Sequence, residues 1–231
     1  MEDKKLIETA FQNDNNDDLS VQPEDRMEFI SIGPYCYTAD RLKENDLRNN
    51  AYPFDYIFSS LEMVKHAIND RFNIFLDKKY YKYISESCTQ HLFYSKFIDT
   101  EILRKLHIAS NLPDIANNLT NREIFLHHNL FDDEIYSSFV NRCNRLLNLI
   151  YNNNKIVFVY CNCYTNDFND ILDFYNNFSN NKNIYVVGIF ENSNDKKILY
   201  ENTNCKIYQN YDKKFIFDEI KSTFYTKLDF H

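Results

Sequence analysis

The sequence predicts an α/β fold, a single mixed domain with a short, mainly parallel sheet flanked by helices and a mobile N-terminal leader. Three observations predict it. Short apolar runs at 29–32, 156–160 and 184–190 read as buried strands, apolar residues recur at helical spacing between them, and from Lys155 onward the two patterns alternate. Strands separated by helices of this length pair in parallel, because a crossover returns the chain to the same end of the sheet. A chain of 231 residues with 44% hydrophobic content can bury a substantial core, and one domain over 26–231 is expected behind a leader of 1–25.

Taken in order, the leader is polar and acidic, ending in Asn13-Asp14-Asn15-Asn16-Asp17-Asp18, too poor in apolar residues to make a core. Leu6, Ile7, Ala10 and Phe11 could form a short amphipathic turn there, and through it the leader could dock on a protein partner. Phe29 to Ile32 is a strand that stops at Gly33-Pro34, and Tyr37 to Glu44 has helical character. Leu61, Val64, Ala67 and Ile68 mark a helix face behind Ser59-Ser60, which suit an N-cap. Residues 72–112 are mixed and aromatic, the expected filling of a core. Phe139, Cys143, Leu146, Leu147 and Ile150 trace another helix. Ile156 to Tyr160, a helix around Phe168 to Tyr175, Ile184 to Phe190, a short strand near Cys205 to Tyr208 and a helix from Phe217 to Phe224 complete the alternation.

Composition excludes several function classes. A formal charge of -8 and a pI of about 5.3 argue against coating nucleic acid or an anionic membrane. No apolar stretch is long enough to span a bilayer, and Met1-Glu2-Asp3-Lys4-Lys5 lacks the pattern of a secretory signal, so a cytoplasmic protein with free thiols is expected. With glycine only at 33 and 188, neither a dinucleotide fingerprint nor a phosphate-binding P-loop can exist, and no cofactor is expected.

The chemistry-bearing residues are few. Cys36 falls at the strand-to-helix junction, where unsatisfied N–H groups and the helix dipole favour an anion, one route to a reactive thiolate. Its helical spacing with Ala39 and Leu42 equally fits a core thiol. Asp55, in Tyr52-Pro53-Phe54-Asp55-Tyr56, costs too much to bury unpaired and should meet a histidine, an arginine or backbone N–H groups. It could orient an imidazole or tie down the loop. His127 and His128 end the apolar run Phe125-Leu126; were that run a strand, their rings would face opposite sides, leaving one for a given site. Cys88-x-x-His91 and Cys161-Asn162-Cys163 each supply a ligand pair, yet no second pair at zinc-site spacing follows, so no metal site is expected.

The string Ser31-Ile32-Gly33-Pro34-Tyr35-Cys36-Tyr37-Thr38-Ala39-Asp40-Arg41-Leu42, then Leu47-Arg48, then Tyr52-Pro53-Phe54-Asp55-Tyr56-Ile57-Phe58-Ser59-Ser60, resembles the DUF1796 family of papain-like cysteine peptidases, found in bacteria and in large DNA viruses of amoebae. Its later elements look like His127-His128, Arg142 or Arg145, and Ile156-Val157-Phe158-Val159, so the likeness runs over 31–160. Tyr56 stands where the family's pattern has tryptophan. The resemblance implies a thiol hydrolase acting on a peptide or small-molecule substrate, with Cys36 as nucleophile, His127 or His128 as base and Asp55 orienting the imidazole. It implies a host-cytoplasmic or virion location if the source is viral. A second class of function fits the same motifs: Gly33 and Tyr35, at the junction, could hold the phosphate or carboxylate of a sugar nucleotide or similar ligand of a glycan-modifying protein. A third is a viral interaction protein that kept the fold and lost activity.

Overall fold

Each strand of the expected alternation is present and pairs as its apolar character requires. The computed structural model describes residues 27–98, 124–125, 127–162, 168–190, 196–209 and 213–225; the leader of 1–25 and Cys163 lie outside them. In chain order the strands are β1 (Glu28–Ser31), β2 (Tyr81–Ser85), β3 (Cys88–His91), β4 (Ile156–Asn162), β5 (Ile184–Phe190), β6 (Lys197–Glu201) and β7 (Cys205–Gln209). The α-helices are α1 (Cys36–Glu44), α2 (Leu61–Asn69), α3 (Asp133–Tyr151), α4 (Phe168–Phe178) and α5 (Lys213–Tyr225). The main sheet has the order β1-β4-β5-β7-β6, parallel except for β6, which pairs antiparallel with β7 at the edge.

The strand period of two divides the core. Ile156, Phe158 and Tyr160 of β4 enter the larger cluster together with apolar residues of α2, α3 and α4, while Val157, Val159 and Cys161 enter the smaller one with Leu42 of α1 and Ile216, Phe217 and Ile220 of α5. Helices therefore cover both faces of the sheet, as a parallel sheet with buried strands demands. Each large apolar side chain buried this way contributes about 1.5–3 kcal/mol by leaving water. Gly188 lets α4 approach β5 closely, since a Cβ there would meet Ile171 Cδ1 at 2.6 Å.

Helix ends follow local chemistry. Ser60 caps α2 by accepting from the N–H of Met63 at 3.1 Å, and Asp132 caps α3 by accepting from the N–H groups of Glu134 and Ile135.

Three segments differ from the sequence reading. β6 is a partly exposed edge strand carrying Lys197 and Glu201, so its apolar signal is weak. The aromatic stretch after residue 72 contains the antiparallel pair β2–β3, where packing rather than clean alternation decides the structure. The run from Phe125 is not a strand: Phe125 makes an isolated antiparallel bridge with Thr89, and the chain then turns through His127 to Leu130. Among the described residues no helix is long and apolar enough to cross a membrane.

Candidate functional site

Cys36 is placed by the end of β1. Ile32 N–H still donates to Val159 C=O at 3.0 Å, then the chain turns through Gly33-Pro34 and enters α1 at Cys36. A Cβ on Gly33 would lie 1.9 Å from Thr38 Oγ1, so the missing side chain is what lets the first turn of α1 fold back onto the turn before it. Thr38 Oγ1 in turn donates to Cys161 C=O at 3.3 Å and accepts from Cys161 N–H at 3.1 Å, pinning α1 to β4. Tyr35, the N-cap residue, supplies no side-chain cap, and its ring stacks on Tyr37 at 5.8 Å.

Of the five described cysteines, Cys36 is half-buried and the other four are buried; all five are free thiols. Thr38, Ala39 and Leu42 form the buried face of α1. Burial pushes the Cys36 thiol pKa up, Asp40 one turn along the helix pushes it further, and the residue's own backbone N–H opposes them. The net direction is upward, opposite to the effect a helix start has by itself.

The loop after α1 gathers the remaining motif residues. Ser59 Oγ donates to Gly33 C=O at 2.7 Å, Ser59 N–H donates to Pro34 C=O at 3.1 Å, and Tyr56 Oη donates to Asp40 at 2.9 Å, so the two specific motif strings lock together beside Cys36. Tyr56 holds this position in a left-handed backbone conformation, with φ of 59°. Asp55 is buried; its Oδ2 accepts from Arg48 Nε and from Tyr52 N–H, each at 2.9 Å, and forms an ion pair with Arg48 Nη2 at 2.9 Å. Burial raises the Asp55 pKa, against the lowering pull of Arg48, the Tyr52 N–H and Arg142. Two of the partner classes anticipated for this carboxylate, arginine and backbone N–H, are thus the ones it meets.

The histidine segment reaches the same loop from the other side. Phe58 N–H donates to Ile124 C=O at 2.9 Å, Phe125 exchanges backbone hydrogen bonds with Thr89, and Leu130 N–H donates to Thr89 Oγ1 at 2.9 Å. His127 is exposed, whereas His128 is half-buried, with its ring edge-on to Phe139 at 5.1 Å and its Nε2 buried without a hydrogen-bond partner. Desolvation, Arg142 and His127 lower the His128 pKa to about 4, so its ring is neutral at neutral pH. Among the described residues no hydrogen bond joins the Cys36 thiol to an imidazole.

Arg142 and Arg145 of α3 complete the surroundings. Arg145 Nη1 donates to Ala51 C=O at 2.7 Å, and Arg142 lies over the Phe139 ring at 4.8 Å with Nε and Nη1 buried and unpartnered. Both line an open cleft of about 360 Å³ with Ala51, Glu134, Ser137, Ser138 and Asn141. In the sequence, Arg142 or Arg145 enters only as part of the family resemblance; the further signal is position, since Arg142 lies between the buried positions Phe139 and Cys143 on a helix where a cation is out of place.

His91 is fully buried, its Nε2 at 3.1 Å from Ile74 C=O and its Nδ1 accepting from Tyr94 N–H at 3.3 Å, so both ring nitrogens are engaged. Among the described residues no three His, Cys, Asp or Glu side chains are grouped to hold an ion.

The family model described as "Putative papain-like cysteine peptidase (DUF1796)" matches residues 27–187, which takes in β1, Cys36, Asp55, both histidines, the arginines of α3 and β4. No curated protein and no solved structure gives a significant match.

Proposed function

The chain belongs to the DUF1796 family, and from that premise we propose that it is a cysteine-dependent hydrolase with Cys36 as nucleophile and His127 or His128 as base. The observation that supports this best is the position of Cys36: half-buried at the first turn of α1, inside the locked pair of motif strings, while the other described cysteines are buried.

The electrostatics favour proton transfer during attack over a preformed ion pair. With the thiol pKa raised and the His128 ring neutral, the resting pair is thiol and imidazole. The imidazole takes the Sγ proton as sulfur bonds to the carbonyl carbon of the substrate, then gives that proton to the departing amine or alcohol as the carbonyl bond to it breaks. Water, deprotonated by the same ring, attacks the thioester and releases the acid and the thiol. Such contacts tighten when substrate binds. Asp55 is a positioning residue here, acting through Arg48 and the loop that holds the Gly33-Pro34 turn.

Hydrolysis of p-nitrophenyl acetate and of a mixed fluorogenic peptide library, followed in wild type, Cys36→Ala and Cys36→Ser, tests the proposal. Both variants should stay folded, with a melting temperature lowered by no more than about 4 °C, since a half-buried thiol contributes on the order of 1 kcal/mol or less, and both should lose turnover. A folded Cys36→Ala protein that keeps wild-type turnover overturns the nucleophile assignment.

A further inference from the structure

The charges around the cleft do not balance. Asp55 is the carboxylate that Arg48 engages in an ion pair and that also acts on Arg142, while Arg48 and Arg145 both repel Arg142. Arg48 and Arg142 therefore share the Asp55 carboxylate, and Arg145 donates instead to Ala51 C=O. Arg142 is the least satisfied: Asp55 attracts it, yet its Nε and Nη1 are removed from solvent without a hydrogen-bond partner, and its guanidinium lies over the Phe139 ring. Guanidinium nitrogens kept from water without a hydrogen-bond partner are expensive, and an anion bound at the cleft would supply the missing acceptors.

The cleft offers the partner a place. Its volume of about 360 Å³ suits a small ligand, and its wall sets Arg142 and Arg145 beside the hydroxyls of Ser137 and Ser138 and the amide of Asn141. Arginine forks with neighbouring hydroxyl and amide donors are the chemistry that recognises oxyanions. We propose that this cleft binds an oxyanion, the phosphate or carboxylate group of a small ligand, through the Arg142 guanidinium turned outward beside Arg145, with Ser138 and Asn141 completing the donor set. Glu134, exposed at the start of α3 and also lining the cleft, opposes the anion and sets an upper limit on affinity.

The site does not depend on the chemistry of Cys36, and its test reads binding alone. Inorganic phosphate and acetate are titrated into the full chain at ionic strength held constant with sodium chloride, with heat of binding and melting temperature as readouts. Wild type should show saturable binding and a rise in melting temperature with at least one of the two anions; preference for phosphate assigns a phosphate ester, and preference for acetate a carboxylate ligand. Arg142→Gln should weaken binding at least about tenfold, as expected for loss of a charge-assisted fork. Without anion it should melt no lower than wild type, because it removes a cation whose Nε and Nη1 are buried without hydrogen-bond partners. Arg142→Lys should fall between the two. Glu134→Gln, at an exposed position, should tighten binding and keeps the test decisive if the Arg142 variants fold poorly. Cys36→Ala should bind as wild type. Saturable binding by neither anion, or equal binding by wild type and Arg142→Gln, overturns the proposal, as does Glu134→Gln binding no tighter than wild type.

Discussion

Asp40 couples the two motif strings to the thiol. It accepts from Tyr56 Oη at 2.9 Å and, one helical turn from Cys36, its charge helps to raise the thiol pKa. Removing that charge should therefore lower the pKa. Asp40→Asn keeps an acceptor for Tyr56 and should shift the pH profile of Cys36 alkylation by iodoacetamide toward lower pH, with faster labelling at pH 7.5 than in wild type. An unchanged profile would show that desolvation alone sets the thiol. Wild-type Cys36 should itself label more slowly at neutral pH than an exposed cysteine, because the thiolate fraction is small.

At the scale of elements, the junction from β1 to α1 is a packing solution in which Gly33 and Thr38 are one unit. A Cβ at Gly33 meets Thr38 Oγ1 at 1.9 Å and Thr38 Cβ at 2.8 Å, and the Thr38 hydroxyl is already committed to Cys161 on both sides. Gly33→Ala should destabilise by about 1–3 kcal/mol through overpacking. Thr38→Ala alone should also destabilise, by losing two buried hydrogen bonds. Combined, the two changes should cost less than their sum, since the alanine at 38 makes room for the methyl at 33. Urea unfolding of the three variants measures the difference. An additive pair would place the strain of Gly33→Ala elsewhere in the turn.

For the whole molecule, acid stability follows from two buried or half-buried imidazoles. His91 and His128 are both held down at about 4 against an ordinary 6.5, chiefly by desolvation. As pH falls below 6.5 the unfolded chain takes up protons that the folded chain refuses, so stability is fully present above 6.5 and is lost progressively down to about 4. His91, with no exposed surface, accounts for the larger share, on the order of 3 kcal/mol for a displacement of this size. Urea midpoints should drop between pH 7 and pH 4.5, and His91→Gln, less stable at pH 7, should show a shallower drop. Equal slopes in the two proteins would take the acid lability away from His91 and leave it to His128 or to other groups.

The local patterns of the chain determined the strands at 29–32, 156–160 and 184–190, the capped helix after Ser60 and the helix through Phe139 and Cys143, because burial on one face or on two leaves a period in the sequence. The same local reading singled out Cys36 at a helix start and required a partner for Asp55. It could not see β6, whose edge position removes the apolar signal, nor β2 and β3, where aromatic packing masks alternation. Partners and protonation were decided by tertiary structure alone. Thr38 reaches Cys161 across 123 residues, Asp55 takes Arg48 and a backbone N–H, Arg142 is left without hydrogen-bond partners for its buried Nε and Nη1, and the Cys36 thiol is raised by burial. Desolvation and charge pairing depend on which distant segments close around a group, and that information belongs to the packed chain and to no short stretch of it.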